Sequence, residues 1–292
     1  MKIAIIGLGK IGGELLCQIN SNSLCEEVVL CCRKQETADA WKEERRQAHA
    51  LNSAKKMIIT ATTDYQDMKD IDLAIITAGE AVKPGQDRLD LADVNVRTTV
   101  DIAKDLYNVA PNAKIIVVTN PVDICTYFII KETGYSETQV LSSGCSVDWA
   151  RLRSELSNRL GVYTKSLSGL VWGEHGKSCM IPWKFVTVEG QHIDMFCHLN
   201  GIDQVQRDDL LESVKEKGRM IAEAKGSTAV TTAAAVTRII EAIRYDEKVI
   251  LSIGTMLNNE YGIKDVVMSV PTIVGKDGAE RIVRNYKILL DS

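Results

Sequence analysis

Short apolar runs punctuate the first half of the chain, at Ile3 to Ile6, Val28 to Cys32, Met57 to Thr60, Leu73 to Thr77 and Ile115 to Val118. Each is nearly continuous in aliphatic or β-branched residues, the pattern of interior strands buried on both faces. Helical periodicities lie between most of them, and this alternation predicts a parallel sheet covered by helices. After about residue 145 the pattern changes. A helix is expected over Ser146 to Leu160, then a strand-rich stretch, two helices around Asp203 to Ile243, paired strands near Val249 to Val274, and a helical pattern over Ala279 to Leu290. The expected organisation is therefore a first domain over 1–144 and a second, α+β domain over 145–292. No repeat or Pro/Gly-rich linker separates them, so they should share a continuous interface, with a ligand cleft between.

Composition narrows the function classes. The chain has 292 residues, 45% of them hydrophobic, enough for a substantial core without disulfides or metal. Its formal net charge of −4, with Lys and Arg interspersed among Asp and Glu, argues against a nucleic-acid partner. No window approaches the roughly 18 apolar residues of a membrane span, and Met1-Lys2 runs straight into Ile3 without a leader-like segment. A cytoplasmic location with reduced thiols is expected for the eight cysteines. They contain no Cys-x-x-Cys pair, and adjacent Cys31 and Cys32 would point to opposite faces of a strand, so no metal site is expected.

The first run leads into Gly7-Leu8-Gly9-Lys10-Ile11-Gly12, which opens an apolar-periodic helix. In this strand–turn–helix setting Gly-x-Gly-x-x-Gly is a dinucleotide fingerprint of a Rossmann-type, doubly wound parallel sheet. Gly7 suits the tight turn, Gly9 the approach of a pyrophosphate and Gly12 the packing of helix on strand. The fingerprint expects Asp or Glu at the end of the second strand, to bind ribose hydroxyls. Cys32 stands there, while Glu26 and Glu27 lie at the strand's other end. Arg33 and Lys34 follow and are suited to a 2′-phosphate, which favours NADP(H) over NAD(H).

Such a loop also serves other reductases. Tyr65 with Lys69, and Tyr127 with Lys131, have the Tyr-x-x-x-Lys spacing of short-chain dehydrogenases, but that family needs a different glycine loop. A further series of motifs spans nearly the whole chain: Thr77-Ala78-Gly79, Lys83-Pro84-Gly85-Gln86-Asp87-Arg88-Leu89-Asp90-Leu91, Thr119-Asn120-Pro121-Val122-Asp123, Asp148-Trp149-Ala150-Arg151, Gly173-Glu174-His175-Gly176, Lys225-Gly226-Ser227-Thr228, and Asp265 to Pro271. With these motifs the chain resembles the lactate and malate dehydrogenase family, most closely its L-lactate or L-2-hydroxyacid members.

The resemblance implies a hydride transfer between a nicotinamide cofactor and a 2-oxo/2-hydroxy acid of L configuration. His175 would carry the proton, a task suited to a side chain that titrates near neutrality. Asp148 would fix the ring's tautomer and favour its protonated form. Asp148 and Arg151 are three apart on a predicted helix and so share a face, from which Arg151 would bind the substrate carboxylate bidentately. Arg88, after a Gly- and Pro-containing lid, would polarise the carbonyl on closure, and Asn120 would hydrogen-bond near the nicotinamide and substrate oxygen. Cofactor contacts would come from Gly7, Gly9, Lys10, Ile11, Gly12, Cys32, Arg33, Lys34, Thr77, Ala78, Gly79, Asn95 and Asn120.

Val82, six before Arg88, occupies the family position that reads the substrate side chain, typically Gln for lactate and Arg for malate. Without a cation there, a second carboxylate would be desolvated unpaired, so oxaloacetate should be a poor substrate. Thr228 also matches the lactate type. Pyruvate or bulkier apolar 2-oxo acids are expected, with malate dehydrogenation or a non-catalytic dinucleotide sensor as alternatives. Each candidate residue alone has an ordinary structural explanation; their joint presence argues for catalysis. Relatives are usually dimers or tetramers, so a homo-oligomer is expected, and the C-terminal helix is expected to be shorter than is usual in the family.

Overall fold

The computed structural model describes residues 1–51, 57–80, 91–176 and 178–284. The chain begins with β1 (Lys2–Ile6), α1 (Lys10–Ser21), β2 (Glu27–Cys31), α2 (Gln35–His49), β3 (Ile58–Thr62) and β4 (Leu73–Ile76). It continues with α3 (Ala92–Val109), β5 (Lys114–Val117), α4 (Val122–Glu132) and β6 (Val140–Ser142). These six strands are all parallel, in the spatial order β3-β2-β1-β4-β5-β6. The order reverses between β1 and β4, the switch point at which doubly wound sheets bind ligands.

Burial follows from position in the sheet. Ile3, Ile5, Leu73, Ile75, Ile115 and Ile116 are wholly buried, because parallel strands are covered by helices on both faces. The run at Met57 to Thr60 differs from the interior strand expected. It falls largely in β3, at the sheet's edge, and Ile58 is 60% exposed. One neighbouring strand and partial helical cover leave that flank open.

The second half supplies α5 (Ser146–Leu160), a small sheet of β7 (Leu167–Ser168), β8 (Thr187–Val188) and β9 (Gln191–His192), and then α6 (Ile193–Asn200), α7 (Arg207–Lys225) and α8 (Ala229–Arg244). β10 (Val249–Asn258), β11 (Lys264–Gly275) and β12 (Gly278–Ile282) complete the chain in an antiparallel meander. β10 meets β6 at Gly254 opposite Ser142, so one nine-stranded sheet runs through both halves.

The helical pattern read over Ala279 to Leu290 is corrected. Residues 278–282 form β12, because Gly278 at φ +96° closes a tight turn whose Lys276 N–H is accepted by Asp246 at 2.8 Å, returning the chain along β11. Residues 285–292 lie outside the described segments.

One core lies on the face where α1 and α8 meet, with Leu15, Leu16 and Ile19 against Val236 and Ile240. A second lies under α3 and α4, around Leu106 and Ile129. A third joins α5, α7 and the small sheet around Leu152, Leu156, Val186 and Leu210.

Candidate active site

The glycine loop joins β1 to α1 at the carboxyl edge of the sheet, beside β4. Gly7 takes φ +100°, and a Cβ there would lie 2.5 Å from the Ala78 backbone nitrogen. On Gly12 a Cβ would meet the Gly7 carbonyl oxygen at 2.0 Å. Gly9 differs: among the described residues beyond its own chain neighbours, no atom lies within 4 Å of where its Cβ would be. Gly9 also caps α1 without a side-chain hydrogen bond, and the first turn carries no acid. The open backbone and uncapped positive helix end fit the pyrophosphate of a dinucleotide.

Neighbouring segments brace this loop. Thr77 Oγ1 donates to the Gly7 carbonyl at 2.7 Å, and the exposed Lys10 ammonium donates to the Gly226 carbonyl at 3.2 Å, at the end of α7. Ile11 packs on the adjoining core. A Cβ on Gly79 would lie 2.4 Å from Thr119 Cγ2, so the turns after β4 and β5 touch. Asn95, 1% exposed, joins them. Its side-chain oxygen accepts the Glu80 N–H at 2.7 Å, and its amide donates to the Asn120 carbonyl at 2.7 Å. Asn95 thus ties the turn after β4 to the turn after β5.

Beyond β2, Cys32 is half-buried and its thiol donates to the Lys34 carbonyl at 3.2 Å, while Arg33 and Lys34 are exposed. Glu26 is at the strand's opposite end, paired with Arg244 at 2.8 Å. The basic pair thus stands at the edge where ligands bind, and Glu26 does not.

His175 follows a two-residue bridge in which Gly173 and Ser269 of β11 exchange backbone hydrogen bonds of 2.9 Å. Asp148, in the first turn of α5, places Oδ2 2.8 Å from His175 Nδ1. The ring is 14% exposed and the carboxylate 15%, so the pair is largely shielded but still reachable. An ionised carboxylate only accepts, which assigns the hydrogen to Nδ1 and leaves Nε2 to take and give a proton. One turn along α5, Arg151 Nη1 lies 3.4 Å from Asp148 Oδ1. The i, i+3 spacing puts Asp148 and Arg151 on one face of α5, beside the His175 ring.

Two further residues shape this site and were not among the candidates. Asp123, in the first turn of α4, accepts the His175 backbone N–H on Oδ2 at 2.8 Å. It is 8% exposed, and burial pushes its carboxyl up to about 6. An acid two residues after Asn120-Pro121, on an otherwise apolar helix start, was the available signal. Gly218, inside α7, makes room for Arg151, since a Cβ there would lie 2.9 Å from the guanidinium carbon. A glycine within a 19-residue helix was the signal for close approach.

The remaining candidates are more loosely placed. Asn120 is half-buried in the turn after β5, joined to Pro121 by a cis peptide, and Thr228 is half-buried at the start of α8. Val82 and Arg88 lie outside the described residues. Cys145 Sγ and the ligand-type atoms of Asp148 and His175 all fall within 4.8 Å of one another. Burial pushes the Cys145 thiol up, which keeps it protonated and a poor metal ligand.

Two family models match the chain. Residues 1–142 match the NAD-binding domain of lactate/malate dehydrogenases, and residues 145–291 match their alpha/beta C-terminal domain. The L-lactate dehydrogenase of Clostridium perfringens (strain SM101 / Type A) is 34% identical over 284 residues, covering 97% of this chain and 89% of the relative. That of Thermoanaerobacter pseudethanolicus is 34% identical over 284 residues, covering 97% and 90%. The crystal structure of the minor L-lactate dehydrogenase from Enterococcus mundtii superposes with a TM-score of 0.91 at 31% identity, covering 97% of this chain and 90% of that one.

Proposed function

This chain belongs to the lactate/malate dehydrogenase family and is a lactate dehydrogenase-type oxidoreductase with a nicotinamide-cofactor domain, and we propose that it interconverts pyruvate, or bulkier apolar 2-oxo acids, with the L-2-hydroxy acids. The observation that carries the reading is the His175–Asp148 pair at 2.8 Å, with Arg151 on the same helix face.

The bound cofactor would supply the hydride. Around it, Arg151 fixes the substrate carboxylate and thereby the position of the carbonyl. His175 Nε2 delivers the proton to the carbonyl oxygen, while Asp148 stabilises the charged ring. Arg88 polarises the carbonyl, and Asn120 hydrogen-bonds at the same oxygen. Val82 confers preference for a monocarboxylate, because a second carboxylate would lose water without gaining a cation. Residues 1–144 hold the cofactor and 145–292 carry most of the acid–base chemistry.

Cys32 in place of an acid, with Arg33 and Lys34 exposed beside it, supports NADPH as the preferred reductant. The working form is a cytoplasmic homo-oligomer on this reading. Among the described residues, no helix is long and apolar enough to cross a membrane.

The test follows NADH and NADPH oxidation against pyruvate, 2-oxo-4-methylpentanoate and oxaloacetate, with His175→Ala as control. Turnover of a monocarboxylate with the wild type, and a loss of roughly 10²-fold or more in the variant, is expected. Faster oxaloacetate reduction, or full activity of His175→Ala, would contradict it. Catalysis is favoured over a sensor role by the hydrogen-bonded pair, since cofactor binding alone has no use for it.

A further inference from the structure

The turn that carries His175 is held from three directions. Ser269 of β11 holds it through Gly173, Asp148 of α5 holds the ring, and Asp123 of α4 holds the histidine's own backbone N–H at 2.8 Å. The third contact is unusual in kind. A backbone N–H near a protein surface is ordinarily satisfied by water or a carbonyl; here its partner is a carboxylate that is 8% exposed. The other carboxylate oxygen, Oδ1, is buried and has no hydrogen-bond partner among the described residues. That oxygen lies at Gly254, where a Cβ would come within 2.9 Å of it. An acid placed at this cost, three residues beyond Asn120, is poorly explained by packing alone.

We propose that Asp123 is a positioning residue for the proton transfer, which fixes the His175 turn against the Asn120 loop and adds a negative charge near the ring. The inference rests on the role of His175 proposed above. Asp123 opens α4 directly after the turn that carries Asn120, so its bond to His175 joins the cofactor half to the acid–base half at the reacting end of the site. Its charge adds to that of Asp148 in favouring the protonated ring.

The groups facing Asp123 set its pH range. His175 and Glu174 approach from the turn, Asp148 and Cys145 from the start of α5, and Cys125 from its own helix. Burial is the largest influence and raises the acid to about 6, opposed by the His175 N–H and by attraction to its ring. Asp123 is therefore mostly ionised at neutral pH and acts there. Below about pH 6 it takes up a proton and its support for the charged ring fades.

Two substitutions separate position from charge. Asp123→Asn keeps an oxygen that can accept the His175 N–H but removes the charge; Asp123→Ala removes both. Pyruvate reduction is measured from pH 5.5 to 9.5 for both variants, for wild type and for His175→Ala, with NADH affinity followed by fluorescence without substrate. For Asp123→Asn the low-pH plateau of kcat should stay within about threefold of wild type, while the alkaline fall moves to lower pH by about half a unit or more. Asp123→Ala should show the same displacement and a kcat lower by roughly 10- to 100-fold. NADH affinity should change less than about twofold in either, since the pyrophosphate loop is untouched. A wild-type profile in both variants beside an inactive His175→Ala would overturn the inference alone. So would a loss of kcat with no movement of the pH midpoint, which is the signature of a merely structural acid. An active His175→Ala would instead remove the proposed function, and the inference with it.

Discussion

At the scale of single residues, the end of β2 offers the cleanest separation of two chemistries. Cys32 occupies the place of an acid that would accept hydrogen bonds from ribose hydroxyls, and the exposed Arg33 and Lys34 offer charge to a 2′-phosphate. Cys32→Asp should therefore lower the ratio of kcat/KM for NADPH over NADH by on the order of 10- to 100-fold, the worth of one or two charge-assisted hydrogen bonds gained or opposed. Arg33→Ala should move the ratio the same way, and an unchanged ratio in both would remove the basis for NADPH. This position was legible in the sequence because the fingerprint fixes it by counting along one strand–turn–helix unit. Asp148 and Arg151 were legible for a similar reason, since helical spacing alone decides that they share a face. Asp123 was not. Its partner lies 52 residues away, and no local periodicity announces that a helix-start acid will meet a backbone N–H on a different turn.

At the scale of elements, α7 carries a glycine where it passes the Arg151 guanidinium. Gly218 interrupts 19 helical residues at a cost of roughly 0.5–1 kcal/mol relative to Ala, and the space it leaves is filled by the Arg151 guanidinium. Gly218→Ala should hold or raise thermal stability, because the clashing atoms are the movable end of a long side chain. It should also displace the guanidinium and raise KM for the 2-oxo acid by about tenfold or more. An unchanged KM would show that Arg151 reaches its working position by another route. The same contrast governs how well elements could be read. Buried parallel strands announce themselves by continuous apolar runs, and β1, β2, β4 and β5 lie within a residue of where the pattern puts them. β6 is three residues long and too short to register, while β12 carries enough helix-compatible residues after Gly278 to mimic a helix. What makes β12 a strand is the unpaired edge of β11 waiting beside a tight turn, which only the assembled sheet supplies.

At the scale of the whole molecule, the boundary between the halves is a boundary of roles rather than of packing. β10 extends the sheet beyond β6, and α8 of the second half covers α1 of the first, so Val236 and Ile240 share a core with Leu15 and Ile19. A fragment of residues 1–144 would expose that apolar face, and the intact chain should unfold in one transition with coincident secondary- and tertiary-structure signals. The seam is also pinned electrostatically. Arg244 at the end of α8 pairs with Glu26 at 2.8 Å, and the amino terminus joins them. The Arg244 hydrogen bond, then that of the amino terminus, holds the Glu26 carboxyl down at about 2, against an ordinary 4.5. A depressed acid contributes stability above its unfolded value and loses it as pH falls, so this pairing acts fully above about pH 4.5 and fades toward 2. Because Glu26 is 56% exposed, solvent screening limits the contribution to at most about 1 kcal/mol. Glu26→Gln should accordingly lower the unfolding temperature at pH 7 by no more than about 2 °C, with the difference shrinking at pH 3. An equal difference at both pH values would mean that the ion pair is not what the substitution removes, and that the seam is held by the shared apolar core alone.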